Sequence, residues 1–391
     1  MMVRLAPIEI FSLMINFLLG SAIVVGWNFE TKQDVWITIL LSLGFGVGVF
    51  YFYLMLHSIG KWGNLIQLLE LGFGRWISKI LGFIYSLYFI YIAGRVLKDF
   101  SFFVSQVLFH NIPFVIISIT LLLVVTYSCY LGIEATARSS VILCAFTGGF
   151  IFILMAVGYL SPYFEFSNLT PILRTNWKHI LSSVFPTGMT FPYGELIVFT
   201  MLFPCVNDKK SLRKYGWISV CTTGMLLLLA GEMILGLLSS ETVNMYVFPF
   251  VKALELTSVL EFLPHMEIFA VVLNLIGGFV KISIFMYGGL MILANIFPKT
   301  KQNQRIMVTS VLTFLFTFTL SKNIIQHLFI GLKIVPLYLH IPLQFIIPCI
   351  LVMCLLIKKY IVKSYKCLNK FFIRITYIFS TTYQDSPQPK L

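Results

Sequence analysis

Ten apolar runs, most of them about as long as a bilayer is thick, follow one another between residues 8 and 357. A hydrocarbon core of ~30 Å takes about 20 residues of α-helix per crossing. The chain therefore reads as an all-α integral membrane protein with ten transmembrane helices. They are expected at 8–27, 36–57, 80–108, 114–131, 139–160, 182–203, 216–238, 264–296, 306–321 and 336–357. The third and eighth are too long to stand upright and should tilt or protrude. Arg4 ahead of an apolar run imitates a signal peptide, but the run carries Asn16 and many further spans follow, so a retained first span is expected.

Charge tells how the helices sit. Only 11% of the residues are charged, against about 25% in soluble domains, and the net charge of +13 lies in short connections and the C-terminal tail. It forms no basic patch interleaved with aromatics, which excludes a nucleic-acid partner. With the N-terminus placed inside, nineteen lysines and arginines fall on inner segments and six on outer ones. That bias puts both termini in the cytoplasm. Two outer loops, 161–181 and 239–263, are longer than a connection requires.

Residues 1–357 form one membrane domain, and 358–391 a basic tail. Lys358, Lys359, Lys363, Lys366, Lys370 and Arg374 fall mostly on one helical face, as in an amphipathic helix on an anionic inner leaflet or against a cytoplasmic partner. From Ser380 onward the tail reads as disordered. Seven scattered cysteines with no CxxC support neither a disulfide framework nor a metal site. No cofactor is implied. No nucleophile–base pair or phosphate loop is visible, so no catalytic residue is assigned and an enzyme is not expected.

Polar residues inside the spans are the informative ones, because a mid-membrane charge costs roughly 2.5–3.5 kcal/mol. The sixth span reads Phe185-Pro186-Thr187-Gly188-Met189-Thr190-Phe191-Pro192-Tyr193-Gly194-Glu195. Two prolines and two glycines at that spacing cannot stay in one continuous helix, and non-helical backbone at this depth survives only against protein or a water-filled cavity. A broken helix is expected, with Glu195 either capping freed amides or acting as a proton- or ligand-sensing group.

The first span carries Gly20-Ser21-Ala22, which allows either close helix packing or a local unwinding. The third carries Arg95, Lys98 and Asp99; Arg95 and Asp99 are four apart and either pair with each other or line a cavity, with Tyr88, Tyr91 and Gln106 extending the face. In the eighth, Asn274, Gly277, Gly278, Lys281 and Gly288 share a face, and Lys281 lies too deep to snorkel. The interrupted segments open the two sets of five spans, and Gly20 and Gly194 are 174 residues apart. Matching interruptions in two inverted halves point to a midplane binding site.

These residues resemble the B subunit of bacterial spore-germination nutrient receptors, an amino-acid-permease-like family. The resemblance is carried by Gly20-Ser21, by Asp34-Val35-Trp36-Ile37, by Asn168-Leu169-Thr170-Pro171, and by Phe191-Pro192-Tyr193-Gly194-Glu195 running on to Phe203-Pro204. The resemblance implies a LeuT-like five-plus-five inverted repeat with broken first and sixth helices. It implies the inner membrane of an endospore, and as partners a membrane A-type subunit and a lipoprotein C-type subunit.

The implied task is sensing an amino-acid-type germinant. The implied pocket holds Gly20, Ser21 and Ala22, then Thr190, Tyr193, Gly194 and Glu195. Tyr91, Lys281 and Ser283 join it from the polar faces of the third and eighth spans. The ligand's charged ends would meet the unwound backbone, with Lys281 as a fixed positive charge. The alternative is a proton-coupled amino-acid transporter acting alone, with Glu195 titrating.

Overall fold

The computed structural model describes residues 4–25, 29–109, 111–257, 266–319 and 321–361, with backbone alone for Val24 and Val25. The described residues are helical almost throughout; a single parallel bridge, Leu5 with Val206, is the one β contact among them. The tail expected beyond Ile361 lies outside the described residues.

Chain order runs α1 (Pro7–Val25), a 3-10 turn (Phe29–Asp34), α2 (Val35–Ile59), α3 (Leu65–Phe73), α4 (Arg75–Val107), α5 (Phe114–Leu131) and α6 (Ile133–Leu160). A broken segment from α7 (Trp177–Ser183) to Cys205 follows, then α8 (Lys209–Thr242), α9 (Pro249–Thr257), α10 (Glu267–Ile296) and α11 (Gln302–Thr319). α12 (Ile324–Phe329) continues as a π-helical turn to Ile334, and α13 runs Pro336–Ile361.

Among the described residues seven helices, α2 with its leading turn, α4, α5, α6, α8, α10 and α13, are each long and apolar enough to cross a bilayer. Ten crossings follow only if α1, the broken segment and α11 also span. Helix α4, at 33 residues and so about 50 Å long, outreaches a ~30 Å core. The polar connection before it is short: Asn64 and Gln67 form a reciprocal cap on α3. Gly74, at φ +85°, then turns the chain directly into α4.

Helices α4 and α10 pack along each other at the centre, with α1 against α10, α8 and α6. Lipid tails are as apolar as leucine, so helix contacts here rely on small residues and polar side chains. The chain follows that rule. Asn16 on α1 donates to the Ser140 carbonyl and hydroxyl on α6, each at 3.1 Å, and accepts from Thr147 Oγ1 at 3.0 Å. Ser128 and Thr136 join α5 to α6 at 2.6 Å. Large apolar side chains such as Leu123, Tyr127, Ile142 and Phe152 are exposed on the outer faces of α5 and α6.

The break expected at Gly20-Ser21-Ala22 is absent: α1 is helical from Pro7 to Val25. Gly20 serves packing instead. A Cβ there would stand 2.7 Å from the Gly277 carbonyl carbon, so α1 and α10 cross backbone against backbone. The small residues take the packing role that their sequence also allowed.

The sixth span is broken as its prolines require. A π-helical turn covers Val184–Gly188 with Phe185 extended at φ −112°, ψ 126°. A turn follows at 191–193, then a 3-10 stretch over Gly194–Met201. Freed carbonyls meet hydroxyls: Thr190 Oγ1 is 2.9 Å from the Pro186 carbonyl and 3.2 Å from that of Thr187. The Tyr53 hydroxyl lies 3.1 Å from the Gly194 carbonyl and 3.0 Å from that of Gln344, donating to one at a time.

The other motifs are structural ties. The Asp34 carboxylate accepts from the Leu173 and Thr175 amides at 2.6 and 2.7 Å, and Asn168 donates to the Gly236 carbonyl at 2.9 Å. Together they fasten the long 161–181 loop to the ends of α2 and α8.

Candidate functional site

Where the broken segment passes α1 and α10, Lys281 Nζ lies 2.5 Å from Glu195 Oε2 and 2.7 Å from Ser21 Oγ. Both charged side chains are almost wholly buried, at 0% and 4% exposure. Lys281 Nζ also faces the Phe191 ring at 4.7 Å and the Phe17 ring at 5.3 Å. Glu195 stands in the 3-10 stretch directly after the break, so the helix interruption aims the carboxylate at α10. Either charge alone would be costly at this depth, and removing one partner of a buried pair typically costs about 3–5 kcal/mol.

Beside this pair is a cavity of ≈ 50 Å³, bordered by Ser21, Phe191 and Glu195, by Arg95 and Asp99 of α4, and by His340 of α13. Each water needs ~10–15 Å³ measured this way, so the cavity has room for about four water-sized groups. The same wall includes Leu328, Gly331 and Leu332. These belong to residues 322–335, which the sequence assigns to an outer connection. The stretch is not a plain connection: α11 and Ile324–Ile334 are bent against each other by 112°, and residues of the second piece border the cavity.

The direct Arg95–Asp99 pair is not formed; His327 comes between them. Its Nε2 lies 3.0 Å from Asp99 Oδ1, and Ser321 Oγ lies 3.1 Å from its Nδ1. Arg95 Nη2 donates to the His327 carbonyl at 2.7 Å. Arg95 Nη1 is buried with no hydrogen-bond partner among the described residues. An unmet buried donor costs roughly 1–3 kcal/mol, more when charged. On the other flank, the Tyr88 hydroxyl lies 2.6 Å from His340 Nδ1 and receives Gln344 Nε2 at 2.9 Å.

Phe191, Leu328 and Leu332 also border a second cavity of ≈ 420 Å³, lined further by Glu30, Asn244, Tyr246 and Lys333. The two cavities are thus separated by a layer one side chain thick. Across the mouth of the larger one, Lys333 Nζ meets Glu30 at 2.9 and 3.2 Å. The opposite side of the ion pair is closed more heavily. Phe17 packs on Phe199 and Phe285 at 5.1 Å each, with Phe199 on Phe203 at 6.4 Å beyond. There Leu5 pairs with Val206, and Lys209 donates to the carbonyls of Phe203, Pro204 and Val206.

Of the ten residues expected at the site, Ser21, Glu195 and Lys281 come together. Gly20 lies at the α1–α10 crossing and Ala22 in the apolar core. Thr190 is taken up within the break, and the Tyr193 ring fills the space over Gly46. Gly194 leaves room for the Gln344 side chain, whose Oε1 a Cβ would strike. Tyr91 borders the site from behind, its ring 6.0 Å from the Arg95 guanidinium carbon. Ser283 is two residues from Lys281 on a helix, and so projects from nearly the opposite face. His327, His340 and Phe191 are additions that sequence reasoning did not single out. The one signal for His327 is the Asn323 cap, accepting from the Gln326 amide at 2.8 Å, ahead of an apolar run.

Sequence comparison gives the family. Residues 4–327 match the model described as "Spore germination protein". The chain belongs to that spore germination permease family. Spore germination protein KB of Bacillus subtilis (strain 168) is 29% identical over 360 residues, covering 91% of this chain and 95% of the relative. Spore germination protein XB of Bacillus anthracis is 23% identical over 302 residues, covering 72% and 77%. The germination family also places the chain among multi-pass membrane proteins. Its fold is that of MhsT, whose crystal structure in complex with L-phenylalanine superposes with a TM-score of 0.62 at 11% identity, covering 91% of this chain and 99% of MhsT. The LeuT-like architecture expected from the resemblance is found, apart from the break in the first helix.

Proposed function

We propose that this germination permease is the nutrient-sensing subunit of a spore germination receptor, taking an amino-acid-type ligand into the cavity beside Glu195 and Lys281. One observation carries the reading: at the break in the sixth span, Lys281 ties α1, α10 and the broken segment together next to a cavity with charged walls. A small polar ligand entering there competes with the contacts that hold those elements in one arrangement. It shifts the protein by its differential affinity for the two arrangements. The relative with the same fold is seen bound to an amino acid, which supports that ligand class for this chain.

The larger cavity lies on the face carrying the loops that the charge bias places outside. The ligand then enters from the outer face of the spore inner membrane, and both termini are cytoplasmic. A membrane A-type subunit and a lipoprotein C-type subunit read the shift. No catalysis is assigned. The second reading, a proton-coupled transporter, draws on the placement of Glu195 at the cavity wall; uptake of labelled amino acid into liposomes by the isolated chain decides for it.

The test of the sensing reading is Gly194→Val in spores. The added side chain displaces Gln344 from its place beside the break. Loss of germinant response at normal protein level supports the site, and an unchanged response contradicts it.

A further inference from the structure

We propose that Arg95 anchors the carboxylate of the amino-acid ligand. The inference rests on the proposed ligand site and adds to it the group that recognises the ligand.

Three charged side chains line the cavity, Arg95, Asp99 and Glu195, and Lys281 stands behind Glu195. Lys281 has three N–H groups, directed among Glu195, Ser21 and the Phe191 face. These contacts commit it to holding α1, α10 and the broken segment together. Asp99 meets His327. Arg95 spends Nη2 on the His327 carbonyl, and its Nη1 stays without a partner among the described residues although it is buried.

The guanidinium is also held in orientation. The Tyr91 ring lies on one side at 6.0 Å, and Gly331 leaves the room that Nη2 occupies, since a Cβ there would overlap it. A guanidinium fixed in this way with its Nη1 donor unused is suited to a carboxylate.

In the proposed pose the amino acid sets its carboxylate on Arg95 and its ammonium toward Glu195 and Asp99, which share the cavity wall.

The experiment uses the full chain in lipid nanodiscs, screened by thermal shift with the twenty L-amino acids. Dissociation constants are then measured for the strongest binder and for its carboxamide, which keeps the ammonium and loses the negative charge. The expected result is a carboxamide bound roughly 10- to 100-fold more weakly, the range for one charge-assisted hydrogen-bonded pair. In Arg95→Gln the acid weakens and the acid-to-amide ratio falls to about 1, a change that a purely structural arginine would not produce. Arg95→Lys keeps the charge without the fork and gives an intermediate ratio; it carries the test if the glutamine variant does not fold. Equal binding of acid and amide by the wild type, or a ratio that survives at position 95, overturns the Arg95 inference alone. Binding of no amino acid overturns the amino-acid reading of the site as well.

Discussion

Lys281 Nζ on α10 meets Glu195 Oε2 in the broken segment at 2.5 Å, with both side chains buried. The pair makes each of its members tolerable, so their substitutions are not additive. Lys281→Met leaves a buried carboxylate without its cation and is expected to cost about 3–5 kcal/mol. Adding Glu195→Gln removes the orphaned charge and recovers most of that loss. Melting of the two single variants and the double variant in detergent checks it. Simple additivity of the two losses would contradict the pairing.

The α1–α10 crossing gives a second expectation. Gly20→Ala places a Cβ 2.7 Å from backbone of Gly277, which has no side chain to swing aside. A loss of about 1–3 kcal/mol is expected from overpacking. Gly44 and Gly48 on α2 have open space where a Cβ would be, so alanine there is neutral or gains up to about 1 kcal/mol from helix propensity. Melting midpoints of the three variants check the contrast.

Tyr53 supplies a hydroxyl between the carbonyls of Gly194 and Gln344. Tyr53→Phe keeps the ring and removes the donor. A cost of about 1–3 kcal/mol is expected for the buried acceptor left unmet, with stronger hydrogen-exchange labelling concentrated at 191–196. Uniform labelling across the chain would contradict this placement of the effect.

Phe191, Leu328 and Leu332 are the layer between the two cavities. Phe191→Ala opens it. In a background lacking the native cysteines, Ser21→Cys is expected to react several-fold faster with a membrane-impermeant thiol reagent once Phe191 is alanine. An unchanged rate would place the entry route elsewhere.

Backbone-determined features were legible in the sequence. Pro186, Pro192, Gly188 and Gly194 dictate a break wherever they sit, and the break is there. Gly20 is different, because glycine serves close packing and unwinding equally well. Its partner Gly277 is far away in the chain, so only the fold decides between them. The polar faces of α4 and α10 were visible as stripes, but a stripe does not say what meets it.

Arg95 and Asp99 share a face at the right spacing, yet His327 intervenes from a stretch that reads as a loop. Short bent pieces lack the length that marks a membrane helix, and α12 with its π-helical turn is such a piece. The Lys281–Glu195 pair needed the same three-dimensional information, since each residue had several possible partners along the chain.

The most direct measurement is a structure of the chain in lipid nanodiscs at saturating concentration of the amino acid that stabilises it most. The account predicts the ligand bounded by Ser21, Arg95 and Glu195, with Phe191 or the 328–332 wall displaced to admit it. A ligand bound elsewhere, with the Glu195–Lys281 pair and its cavity unaltered, would contradict the account.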